Sequence, residues 1–178
     1  MSQELFKEKK VFERKFLIDC IPELIELCSS MEITDLYLTR NSKAEIRYRK
    51  LNDTYMVKTK IYDGDNCYKT ETYLEHGKNV FDSLLSKEPI VKKRYIIIVN
   101  NHLVQIDKYI NPSNLNIAKV EFNNSLDADE FIKPSWFNEE ITNEESYKGV
   151  NLFEEINNGK IYRRKNYVTE FKRSQSED

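Results

Sequence analysis

Six short segments each hold two ionisable side chains two residues apart: Glu13/Lys15 in VFERKFL, Arg47/Arg49, Lys58/Lys60, Lys69/Glu71, Lys92/Arg94 and Lys119/Glu121; Asp107 lies between Gln105 and Tyr109. Residues at i and i+2 share one face of a β-strand. Each pair therefore commits its charges to one face and sends Phe12, Ile46, Tyr48, Val57, Tyr95, Ile106 and Val120 to the other. An antiparallel sheet with a wet outer face alternates in the same way, so spacing alone does not separate exterior from interior. The sign of the charges does. Lys15, Arg47, Arg49, Lys58, Lys60, Lys69, Lys92, Arg94 and Lys119 outnumber Glu13, Glu71, Asp107 and Glu121 by five, in a chain of net charge −2. Like charges opposed across strands are unfavourable, so such a face calls for a polyanion.

If that face is an interior, its bases are too expensive to bury dry, and the interior must be a water-filled channel that takes an anion. Arg47 and Arg49 suit bidentate grips on phosphoryl oxygens, and the lysines act as point charges. A triphosphate, with roughly four negative charges, matches the excess. The carboxylates Glu13, Glu71, Asp107 and Glu121 then make sense as ligands for Mg²⁺ or Mn²⁺ bridging phosphate oxygens. With the bases taken as unpaired, Arg49→Ala is expected to abolish stabilisation by tripolyphosphate and leave the ligand-free melting temperature unchanged or higher.

The elements that must position these residues are short runs rich in β-branched and aromatic side chains, divided by the turn signals LND, YDGDN, VNN and NPSN. Strands are predicted near 10–18, 33–40, 44–51, 54–60, 67–75, 90–98, 102–109 and 116–123, enough for a closed eight-stranded antiparallel barrel. One short helix opens at Pro22 with Leu24, Ile25 and Cys28; a second carries Val80, Phe81, Leu84 and Leu85. Thr142 and Glu145 have the spacing of a capping box for a helix bearing Tyr147, Val150, Phe153 and Ile156. The class is α+β: a single domain over residues 1–170, with a polar tail at 171–178.

Composition closes off other chemistries. The 178 residues include four glycines, with no GxGxxG or Walker loop, so phosphate must be held by side chains. Three cysteines without CxxC spacing and two histidines argue against zinc or a disulfide framework. No apolar leader or membrane-length run is present, and the charge balance offers no global basic field for nucleic acid. A cytoplasmic monomer or homodimer acting on a small-molecule triphosphate is expected, with no nucleic-acid or membrane partner. Tyr109 and Trp136 are expected to pack, His76 to serve a turn, and the basic run at 161–167 to be solvated.

The ordered segments FERKFL, IRYR, VKTK, KTE, VKKRY, VQIDKY, AKVEF and PSWFNEEIT, over residues 10–152, resemble the CYTH domain, or triphosphate tunnel metalloenzyme. That family includes tripolyphosphatases, thiamine triphosphatases, class IV adenylate cyclases and capping RNA triphosphatases. The resemblance implies an eight-stranded tunnel that binds triphosphate on a basic surface and divalent metal on an acidic one. The chain departs from the pattern at three carboxylate positions, now Val11, Tyr73 and Lys119. These changes make the site four charge units more positive, the charge of two divalent ions, which implies fewer metal ions than the family's two: one Mg²⁺ or Mn²⁺, or none. The expectation is a metal-dependent triphosphatase with Glu13, Glu121 and Lys15 at the reacting end. The alternatives are a catalytically weakened triphosphate-binding module and a class IV adenylate cyclase.

Overall fold

Asparagine supplies the sharp reversals that set the strand pattern. At the Val99–His102 turn both central residues, Asn100 and Asn101, have positive φ, 47° and 64°, which a two-residue hairpin of the right twist requires. Asn52 (φ 49°) serves the Leu51–Thr54 turn. The structure is a computed structural model that describes residues 12–40, 43–63 and 66–159. Val11, the basic run at 161–167, the tail at 171–178 and the proposed domain limits lie outside the described residues.

Eight strands form: β1 Phe12–Leu17, β2 Met31–Arg40, β3 Ala44–Leu51, β4 Thr54–Asp63, β5 Asn66–Tyr73, β6 Ile90–Val99, β7 His102–Asn111 and β8 Asn116–Phe122. They make one antiparallel sheet in the order β1-β8-β7-β6-β2-β3-β4-β5. Register shifts at Tyr37/Thr39 in β2 and Val91/Lys92 in β6 bend those strands, as bulges do, and the sheet curls. The helices are α1 Glu23–Glu26, α2 Gly77–Ser83, α3 Ser125–Glu130 and α4 Gly149–Asn158, with a 3₁₀ turn at Glu145–Tyr147.

The barrel is not closed. β1 and β5 are the two ends of the sheet order, and they do not pair among the described residues. The reason is local: the edge of β1 that would meet β5 is already occupied. Leu17 donates its N–H to Glu139 (2.9 Å), Asn138 to Leu17 (2.8 Å) and Ile141 to Lys15 (2.8 Å), so residues 138–141 run along β1 as a strap. What spans the remaining gap is a side-chain contact, Lys69 Nζ to Glu13 Oε2 at 4.0 Å.

The same strap accounts for a second correction. Thr142 does not cap a helix; its hydroxyl accepts the Lys15 N–H (3.1 Å) and donates to Glu140 Oε1 (2.6 Å). Glu145 opens the 3₁₀ turn, and α4 starts only at Gly149. A Cβ there would meet the Tyr37 hydroxyl at 2.1 Å, so the close approach requires glycine. α3, capped by Asn124 accepting from Asp127 N–H at 2.9 Å, is an element the sequence pattern did not announce.

Apolar side chains gather on the convex face of the sheet. Phe16, Tyr95, Val104, Ile106, Val120 and Phe122 pack under α3 and Phe131–Phe137, and Trp136 meets Phe137 edge-on at 4.5 Å. Tyr48 and Tyr55 rest on Phe81 of α2 at 5.8 and 5.6 Å. On the concave side Tyr37 meets Phe153 of α4 at 5.7 Å, so apolar side chains also close one end of the curl, while the charged residues line its inner face. No helix among the described residues is long and apolar enough to cross a membrane.

Candidate functional site

The concave face encloses a cavity of about 780 Å³. Strand parity accounts for its lining. Arg94↔Asp107, Lys15↔Lys119, Glu13↔Glu121, Arg47↔Lys58, Lys58↔Glu71 and Lys60↔Lys69 are all direct cross-strand partners, so each i/i+2 pair is carried to the same inner surface as its neighbour. All nine bases and all four carboxylates predicted from the sequence line this one cavity. Lys148 and Glu45 join them. Ten cations against five carboxylates leave an excess of five positive charges among the described residues, or three when Asp35, buried behind Arg47 and Arg49, and Glu145, bonded to Lys148, are counted.

The acids are distributed as counter-ions. Asp35 is 1% exposed and receives Arg49 Nε and Nη2 on its two oxygens, both at 2.6 Å, with Arg47 Nη1 at 3.7 Å. Asp107 receives Lys92 Nζ at 2.6 Å and Arg94 at 2.6 and 2.7 Å. Glu13 pairs with Lys15 at 3.0 Å, Glu121 with Lys119 at 2.5 Å, Glu45 with Lys60 at 3.7 Å, and Glu71 with Lys58. The bases are therefore not unpaired, which corrects the expectation for Arg49. Its guanidinium is 4% exposed and fixed to Asp35, so Arg49→Ala is expected to leave a buried carboxylate with only Arg47 at 3.7 Å and to destabilise the ligand-free protein. Arg47, 18% exposed and donating to the Tyr37 hydroxyl at 3.1 Å, is the member of the pair that faces the channel.

Four residues, Glu45, Asp35, Tyr37 and Lys148, escaped the sequence reading. Glu45 shares its face with Arg47 and Arg49, and the parity rule would have found it. Asp35 and Tyr37 lie on β2, whose in-facing positions carry no repeated charge, so no sequence signal marked them. Tyr73, 65% exposed, stands at the end of β5 outside the cavity lining. Tyr109 packs against the apolar cluster at the foot of the channel, with Lys92 Nζ 5.0 Å from its ring centroid.

Burial and charge act in opposite directions on these groups. Burial alone would raise the Glu13 carboxyl, but Lys15, Lys119 and Lys69 outweigh it and hold the group at about 2. Asp35 and Asp107, also raised by burial, are driven well below the usual carboxylate range by Arg47 and Arg49, and by Lys92 and Arg94, respectively. Burial pushes the Lys92 ammonium down to about 8 despite Asp107, and it lowers Lys58, Lys60 and Lys119 as well. Tyr37 is pushed up to about 12 by burial.

The depressed carboxyls give a prediction. Their folded-state values lie below their unfolded values near 4, so they contribute stability above about pH 4 that is lost as pH falls. The ligand-free melting temperature is expected to drop steeply between about pH 4.5 and 2, as a thermal denaturation series across that range would show. A flat profile there would mean that these ion pairs do not form.

The donor set does not fit a preformed divalent-metal centre. Among the described residues no three of His, Cys, Asp or Glu converge on one point. Glu13 and Glu121 are cross-strand neighbours, but each is bonded to a lysine, and Asp107 is taken by Lys92 and Arg94.

No family model matches this sequence, and no curated protein matches it. Solved structures do. One, described as the hypothetical protein NE1496, is 26% identical over 81% of this chain and 97% of its own, with a TM-score of 0.60. Another, described as the inorganic triphosphatase NE1496, is 25% identical over 82% of this chain and 95% of its own, also with a TM-score of 0.60.

Proposed function

From a chain that carries the triphosphate-tunnel fold of the CYTH domain, we propose that the channel binds a triphosphate-bearing anion and hydrolyses its terminal phosphoanhydride. The observation that carries this reading is the convergence of ten cations on one cavity with five carboxylates among them. The surplus of three to five positive charges is of the size of a triphosphate's charge, roughly four negative.

Arg47, Lys58 and Lys60 line the wall built by β3 and β4, and Lys92 and Arg94 the wall of β6. Together they hold the phosphate chain extended between them. In hydrolysis, a water oxygen forms a bond to the terminal phosphorus as the bridging P–O bond breaks; diphosphate, monophosphate and one proton result. The cations stabilise charge on the departing diphosphate. Glu13, ionised and held at about 2, is too weak a base to ionise water. It can accept a hydrogen bond from water and so orient it, which suffices for a loose transition state in which the nucleophile is scarcely activated. Lys15 fixes the position of Glu13, and Lys119 that of Glu121, the carboxylate opposite it on β8.

A second reading, triphosphate binding without turnover, is favoured by the prior engagement of every channel carboxylate named above by a base. Phosphate release from tripolyphosphate, ATP and thiamine triphosphate, with and without Mg²⁺ or Mn²⁺, separates the two. Release from any of them supports the hydrolase; calorimetric binding with no release selects the binding module. Cyclisation of ATP with release of diphosphate would select a cyclase.

A further expectation concerns protons. Lys92 sits at about 8 in the free channel, and a bound polyanion raises it. Lys92 is therefore expected to take up protons on tripolyphosphate binding at about pH 8, an uptake that fades at about pH 6.5 and is set against release of the ligand's own last proton. Calorimetry in buffers of different ionisation enthalpy isolates the Lys92 contribution as the difference between the wild type and Lys92→Met; the same proton exchange in both would contradict the assignment.

A further inference from the structure

The end of the channel between β1 and β8 carries an unusual charge arrangement. Glu13 and Glu121 are direct cross-strand partners, and so are Lys15 and Lys119 one row deeper. Each row by itself opposes like charges, which is destabilising. The rows relieve each other along the strands, Glu13 to Lys15 at 3.0 Å and Glu121 to Lys119 at 2.5 Å. From across the gap in the sheet, Lys69 of β5 reaches Glu13 at 4.0 Å. Two carboxylates are thus served by three ammonium groups, all on side chains that line the cavity.

Resting on the triphosphate reading above, we propose that Lys119, with Lys15 and Lys69, supplies the positive charge that a divalent cation would otherwise bring to the Glu13–Glu121 couple, so that the channel binds its triphosphate without metal.

The charge balance supports this. The two carboxylates and three lysines leave one surplus positive charge facing the ligand. A divalent ion added to them would raise the local surplus to three with no further carboxylate to offset it, since no third acidic ligand converges there among the described residues. Mg²⁺ also holds its water tightly and is bound by carboxylates that are free to coordinate, whereas Glu121 and Glu13 are already hydrogen-bonded or ion-paired. The Lys119 side chain, 21% exposed, opens onto the channel. An ammonium at that point donates directly to a phosphoryl oxygen.

The test is a calorimetric titration of tripolyphosphate into the full chain, in EDTA and in excess Mg²⁺, with the wild type, Lys119→Glu and Lys119→Gln. The wild type is expected to bind in EDTA with an affinity no weaker than in Mg²⁺. Lys119→Glu is expected to lose about tenfold or more in EDTA and to recover when Mg²⁺ is added, because the substitution adds a third carboxylate beside Glu13 and Glu121. Lys119→Gln is expected to weaken binding in both conditions with no recovery. Wild-type binding that requires Mg²⁺ would overturn the inference and leave the triphosphate reading intact. No binding in either condition would overturn both. Because the wild-type comparison decides the matter alone, a variant that fails to fold does not protect the proposal.

Discussion

Asp35→Ala is expected to destabilise the ligand-free protein by about 3–5 kcal/mol, the usual consequence of removing one partner from a buried ion pair. Asp35 is 1% exposed, and its two oxygens take both donors of Arg49 at 2.6 Å. Without it, Arg49 keeps a buried charge and Arg47 loses its nearest counter-ion. For a chain of this size each kcal/mol shifts the melting temperature by about 2–4 °C, so a fall of roughly 6–20 °C should appear in a thermal scan. Tripolyphosphate should restore more stability to this variant than to the wild type, because the anion takes over part of the lost neutralisation. The double replacement Asp35→Ala with Arg49→Ala should be less damaged than Asp35→Ala alone, since only Arg47, which faces the channel, is then left without its counter-ion. A single variant that melts within a degree or two of wild type would mean that the Asp35–Arg49 pair is not buried as described.

Arg47→Ala should do the reverse, sparing stability and damaging affinity. Asp35 keeps its two bonds from Arg49 in this variant, and what is lost are the Arg47 contacts with Asp35 at 3.7 Å, the Tyr37 hydroxyl at 3.1 Å and the Tyr37 ring, 5.9 Å to its centroid. A hydrogen bond to a charged group contributes about 1.5–3 kcal/mol, so the Kd for tripolyphosphate is expected to rise by about 10- to 150-fold. Arg47→Lys should recover only part of the loss, because an ammonium cannot reproduce a bidentate grip. Affinity unchanged within twofold would remove Arg47 from the ligand-binding wall. Arg47 and Arg49, two residues apart and indistinguishable by spacing, are thus assigned opposite roles: one facing the ligand, the other locked into the wall.

Much of this architecture could be read from local pattern. The eight expected strands correspond to β1–β8, with boundaries differing by a few residues at most, because period-2 alternation and the Asn-containing turns are properties of neighbouring residues. The thirteen channel residues follow from one parity rule applied strand by strand. What escaped had no local signature. α3 is a single turn and a half whose cap, Asn124, is visible only when the Asp127 N–H is seen to meet it. Thr142 and Glu145 satisfy the capping-box spacing, but a more distant donor, the Lys15 N–H, takes the threonine hydroxyl first.

By itself the sequence determined which side chains share a face, how many strands carry them, and that the shared face bears more positive charge than it can neutralise. These depend on i/i+2 geometry and on composition, which need no knowledge of distant contacts. The tertiary structure decided that the face turns inward, that the sheet stops short of closure, and which base each acid binds. Those outcomes rest on contacts between residues far apart in the chain: residues 138–141 occupy the β1 edge that β5 would need, and Asp35 meets an arginine fourteen positions away. Curvature brings the charges together, and burial then selects which pairs persist.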